Sequence, residues 1–115
     1  MPAQTAPDPE AMRVARLFLA RIAGAYPIVE AWLYGSRARG DARPDSDVDV
    51  AVVIEGPRRE VRRLSGDLAA EAFDELLDTG LLVSPLAISA EDWRAPDGFS
   101  NPFLLHNIKR EGIPI

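Results

Sequence analysis

The sequence predicts an α/β domain, a small sheet flanked by helices, on three observations. Runs of β-branched and aromatic residues at 28–34, 46–55 and 81–89 alternate with segments whose apolar residues recur at three- and four-residue spacing. Glycine and proline punctuate the boundaries between them. The 115 residues suffice for one core, and a chain of that length buries roughly two-thirds of the surface its unfolded form exposes.

Residues 1–8 read as a flexible N-terminus and residues 9–115 as the domain. Asp8 is placed to cap a first helix with Pro9 in its first turn and Glu10 beside the positive end of the dipole. Val14, Leu17, Phe18 and Ile22 form its apolar stripe, and Gly24 and Pro27 stop it near Ala25. "IVEAWLY" (28–34) is the first strand. "SRAR" allows a single helical turn, and a loop from Gly40 to Pro44 leads to the second strand, "SDVDVAVVIE" (46–55). Val61, Leu64, Leu68, Ala72 and Leu76 restore helical spacing from Pro57 to Thr79, with Gly80 as the stop. In "LLVSPLAIS" (81–89), Pro85 points to an edge strand or a bulge. The tail has Asn101 as cap, Pro102 at the first position, Lys109 and Arg110 in the last turn and Gly112 beyond it, all signals of a short helix.

Composition narrows the function. With 18 acidic and 13 basic residues the net charge is −5, which disfavours an extended grip on a nucleic-acid backbone. There is no cysteine, hence no disulfide framework or thiolate zinc site. The N-terminus lacks the pattern of a secretory leader, and no apolar run approaches the ~18 residues of a membrane span. A soluble, cytoplasmic protein without a membrane partner is expected.

The chemistry is concentrated in residues 35–49. Alternate strand residues share a face, so Asp47 and Asp49 are expected to project together with Cα atoms about 6.5–7 Å apart. Their mutual repulsion is relieved by a divalent cation, and Mg²⁺ takes one or two carboxylates together with phosphates and waters. Gly35 and Ser36 stand where a strand gives way to a helical turn. There a missing Cβ and free N–H groups suit a phosphate. Ten residues separate the two features, as G-S-x10-D-x-D.

"GSRARGDARPDSDVDVAV" resembles the signature of the minimal nucleotidyltransferases, a branch of the DNA polymerase β-like nucleotidyltransferase superfamily. The order of elements resembles that family's core, and "HNIKREGIPI" is similar to its closing helix and short strand. The resemblance implies a small mixed sheet flanked by helices in the polymerase β-like nucleotidyltransferase fold. It further implies transfer of a nucleoside monophosphate from an NTP, usually ATP, to a hydroxyl with release of pyrophosphate. Gly35 and Ser36 would hold the β- and γ-phosphates, and Asp47 and Asp49 would be the catalytic, Mg²⁺-ligating pair. Arg37, Arg39 and Arg43 are candidate triphosphate contacts, because guanidinium groups match phosphate geometry, or else belong to a solvated loop that neutralises Asp41 and Asp45.

Complete members of the superfamily place a third carboxylate on the next strand, where this chain has only Ser84 and Ser89. Small stand-alone members resemble antitoxins that silence a HEPN-domain toxin by transferring AMP to its tyrosine, so that toxin is the expected partner. A nucleotide-binding partner module with weakened or lost catalysis is the first alternative, and a small-molecule nucleotidyltransferase the second. A homo-oligomer stays open. Arg58, Arg59, Arg62 and Arg63 read as an exposed helix start and His106 as structural. Trp32, Phe73 and Trp93 read as core or core-edge residues, with Trp32 or Tyr34 as candidate borders of a base pocket.

Overall fold

The structure is a computed structural model and describes residues 6–115, so the first five residues of the expected flexible N-terminus lie outside it. Helix α1 (Pro9–Ile22) is followed by β1 (Ile28–Tyr34), the single turn α2 (Ser36–Arg39), β2 (Val48–Ile54), α3 (Arg58–Thr79) and β3 (Val83–Ser89). A short helix α4 (Ala90–Arg94), a 3-10 turn, α5 (Pro102–Glu111) and β4 (Ile113–Pro114) complete the chain. The sheet is mixed, in the order β3-β2-β1-β4. β1 pairs antiparallel with both β2 and β4, and β2 pairs parallel with β3.

Side-chain alternation divides the core into two layers. From β2, Val48, Val50, Val52 and Ile54 face α1 and α3, meeting Val14, Phe18 and Ile22 of the first and Val61, Leu68 and Ala72 of the second. Ala51 and Val53 face the other way, onto Trp93 of α4 and Leu105 and Ile108 of α5. Near the edge of that second layer Trp32 and Trp93 pack with ring centroids 5.7 Å apart, and the Lys109 ammonium lies 4.6 Å from the Trp93 centroid.

The capping signals act as expected. The Asp8 carboxylate accepts from the Glu10 amide at 3.0 Å, Asn101 accepts from the Leu104 amide, and Gly80 closes α3 at φ 81°. Pro85 lies on β3, an edge strand whose outer side has no β partner to miss its N–H. No helix is long and apolar enough to cross a membrane among the described residues.

Several expectations need correction. α1 ends at Ile22 rather than Ala25, because the amide of Ala25 turns to the Ile22 carbonyl in a tighter turn. β2 begins at Val48, which leaves Asp47 on the exposed lip just before it. Leu17 and Phe73 are exposed at 43% and 56%, since α1 and α3 press narrower stripes onto the sheet than their apolar content suggests. α4 was not expected, its five residues being too few to show a helical period.

Candidate active site

The site is built at the end of the sheet where β1 stops and β2 starts. Tyr34 is paired with Asp49 across β1 and β2, and Asp49 with Ser84 across β2 and β3. Residues directly opposite share a face, so Tyr34, Asp49 and Ser84 form one row on the α4/α5 side of the sheet. After Tyr34 the chain turns sharply at Gly35, with φ 76° and ψ −157°, a conformation that favours glycine. A Cβ on Gly35 would collide with the Asp49 carboxylate. The phosphate-type turn and the carboxylate strand are therefore in contact, as far apart in sequence as they are.

Turn α2 makes its first backbone bonds from the Ala38 and Arg39 amides to the Gly35 carbonyl. The amides of Ser36 and Arg37 thus precede the ladder, the general condition for donating to an anion. Asp47 and Asp49 also lie close enough to interact. Burial first, and then the charge of Asp47, push the Asp49 carboxyl above its ordinary range, with Arg39 opposing them. Burial, followed by the charge of Asp49, raises the Tyr34 phenol to about 12. A half-buried carboxylate repelled by a second one is the arrangement a divalent cation relieves, so the pair fits Mg²⁺ by its donor chemistry. Among the described residues no cluster of three or more His, Cys, Asp or Glu could hold a metal.

Of the residues singled out from sequence, Gly35, Ser36, Arg39, Asp47 and Asp49 are brought together, and Arg37 is not. Its guanidinium is buried beneath the turn. There it pairs with Asp8 at 2.6 Å and donates to the carbonyls of Ser46 at 2.7 Å and Pro44 at 3.1 Å. The backbone amide of Asp8 also donates to the Arg37 carbonyl at 3.0 Å. With its donors committed inward, Arg37 positions the loop that delivers Asp47 and leaves Arg39 as the half-exposed arginine of the site. Arg39 lies 3.3 Å from Asp41 and 3.7 Å from Glu111.

No other acid takes up the position beside Asp49. Asp74, Glu75 and Asp78 belong to α3, on the opposite face of the sheet, where Arg21 holds Glu75 at 3.0 Å and Asp78 at 2.5 Å. Glu91 and Asp92 follow the far end of β3, about 16 Å of strand from Ser84. Asp92 is fully buried, 2.9 Å from Arg58 and 3.2 Å from Arg62. Those two arginines, expected on an exposed helix start, tie α4 to α3. Sequence reasoning missed this pairing, and with it Leu104, Asn107 and Glu111, which border the site from α5. Only the helical spacing of 104 and 108 hinted that one face of α5 would look toward Gly35.

Comparison with known proteins bears on the family and the fold. A family model described as nucleotidyltransferase domain matches residues 14–103, most of the chain. A crystal structure from Sulfolobus solfataricus, provisionally assigned as a nucleotidyltransferase, aligns with a TM-score of 0.50 at 17% identity, covering 91% of this chain and 81% of that one. At that identity the likeness concerns the fold. No curated protein matches the chain significantly.

Proposed function

We propose that this chain, which belongs to the nucleotidyltransferase domain family and has its polymerase β-like fold, transfers AMP from ATP to the hydroxyl of a tyrosine on a HEPN-domain toxin and so acts as an antitoxin. The family supports nucleotidyl transfer in general. The choice of ATP, of Mg²⁺ and of a protein acceptor is our reading. The observation that supports it most is the close approach of Gly35 to the Asp49 carboxylate, which joins the Gly-Ser turn to the strand that bears the acid.

In this reading Gly35 lets the β- and γ-phosphates approach the backbone, the amides of Ser36 and Arg37 and the Ser36 hydroxyl donate to them, and Arg39 offsets their charge. Asp47 and Asp49 would hold Mg²⁺, which when bound neutralises the phosphates and orients the α-phosphorus. The acceptor oxygen forms a bond to that phosphorus, the bond to the bridging oxygen breaks, pyrophosphate leaves, and the hydroxyl proton passes to solvent. Such a reaction depends mainly on positioning and electrostatics, which a small rigid sheet end can supply.

The test is transfer of label from α-labelled ATP, with Mg²⁺, to a purified HEPN-domain partner. Label on the partner with the wild type, and none with Asp47→Ala or Asp49→Ala, is expected. Absence of label with the folded wild type would overturn the transferase reading. One observation favours a second reading: the register position beside Asp49 holds Ser84, not an acid. If both aspartate variants still neutralise the toxin, the chain acts by binding its partner.

A further inference from the structure

A cleft of about 200 Å³ opens between the end of β1 and α5, beside Gly35. Tyr34, Leu104 and Ile108 supply its apolar walls, and Arg39, Asn107 and Glu111 stand at its polar rim. It is smaller than the roughly 300–1,000 Å³ of sites that enclose a whole drug-sized ligand, so it suits one part of a ligand. It also lies on the right face. Tyr34 is opposite Asp49 in the β1–β2 register, so the cleft and the carboxylate share one side of the sheet. The groove beside Asp47 differs, because it is lined by Leu76 of α3 and by Leu81, which packs against the α1/α3 core.

The chemistry of the lining decides which part of a nucleotide belongs there. A polyphosphate is disfavoured by the Glu111 carboxylate, which takes up part of the Arg39 charge at 3.7 Å. An aromatic base is favoured by the Tyr34 ring and two aliphatic side chains. Asn107 is exposed on α5, and its carboxamide presents a donor and an acceptor side by side. That pair matches the donor–acceptor edge of adenine, where guanine presents two acceptors. The Asn107 oxygen accepts from Arg110 at 2.8 Å through one of its two lone pairs, which holds the amide and leaves the second lone pair and the NH₂ for a ligand.

Resting on the nucleotidyl-transfer reading above, we propose that this cleft receives the nucleobase of the bound nucleotide and that Asn107 selects adenine over guanine. With phosphates on the Gly35–Ser36 turn and the base against Tyr34, Leu104 and Ile108, one face of the sheet holds the whole substrate.

Calorimetric titration of ATP, GTP and inorganic tripolyphosphate, each with Mg²⁺, separates this proposal from the one beneath it. The proteins compared are wild type, Leu104→Trp, which fills the cleft, and Asn107→Leu, an exposed substitution that leaves the fold intact. Leu104→Trp is expected to weaken ATP by at least about tenfold while tripolyphosphate keeps its wild-type affinity. Asn107→Leu is expected to erase an ATP-over-GTP preference of about 5- to 100-fold. If wild type binds both ATP and tripolyphosphate but Leu104→Trp leaves ATP unchanged, or lowers both alike, the base site is wrong and the transferase reading stands. Failure of wild type to bind either compound overturns both.

Discussion

Gly35 sets how closely the turn proposed to bind phosphate and the strand that bears Asp49 approach one another. Its φ of 76° and the collision a Cβ would have with Asp49 act in the same direction. Gly35→Ala should cost about 1–3 kcal/mol of stability from backbone strain. It should also weaken Mg²⁺-dependent ATP binding more than Ser36→Ala, which removes one hydroxyl donor and leaves the backbone as it was. Denaturant unfolding and ATP titration of the two variants check this, and equal losses would show that the turn does not need the contact. Asp49 is the complementary case. Burial and the neighbouring Asp47 make its ionised form costly when no cation is present. Asp49→Asn should therefore raise the melting temperature in chelator while abolishing the rise that Mg²⁺ gives the wild type. A variant less stable than wild type in chelator would mean that the carboxylate has a structural partner.

At the scale of elements the loop between α2 and β2 is the piece that has to be held, and Arg37 holds it. One buried guanidinium joins the cap of α1, through Asp8, to the carbonyls of Pro44 and Ser46 directly before Asp47. Arg37→Ala leaves those carbonyls without the guanidinium and Asp8 with only its backbone bond to Glu10, and should cost about 1–3 kcal/mol, with Mg²⁺ affinity falling as Asp47 loses its anchor. Arg37→Lys keeps the charge without the fork and should recover only part of either property. The hydrogen bond from Arg37, more than any other influence, lowers the Asp8 carboxyl below its usual 3.8. The folded state thus binds that proton less tightly than the unfolded chain. The stabilisation is present above about pH 4 and is lost as pH falls through the depressed value. In acid titrations of stability Asp8→Asn should flatten this limb, and an unchanged acid slope would place the sensitivity elsewhere. The same loop marks the limit of what sequence can convey. Gly35, Ser36, Asp47 and Asp49 were legible because spacing and strand alternation are local rules. Arg37 and Arg39 were not distinguishable, because which of two arginines turns inward depends on Asp8 and on carbonyls brought near only by the fold.

For the whole molecule the consequence is a sheet whose two faces carry different duties. The face covered by α1 and α3 was readable in the sequence, since long helices at regular spacing must bury their stripes on something. The α4/α5 face was not. α4 is too short to show a period, its burial depends on Asp92 meeting Arg58 and Arg62, and α5 contributes mainly Leu105 and Ile108. That thinner face carries Tyr34, Asp49 and Ser84. Core damage should thus have unequal functional effects on the two sides. Leu68→Ala and Ile108→Ala each truncate an almost fully buried side chain, at 0% and 1% exposure, and each should cost about 2–5 kcal/mol. Leu68 lies across the sheet from the site, so its loss should lower stability and leave the ATP affinity of the folded fraction unchanged. Ile108 both fills the second core layer and lines the cleft beside Gly35, so its loss should lower stability and ATP affinity together. Urea unfolding paired with ATP titration well below each transition distinguishes the two cases. If both variants bind ATP as the wild type does, the α5 layer is scaffold alone and the substrate rests entirely on the residues between Gly35 and Asp49.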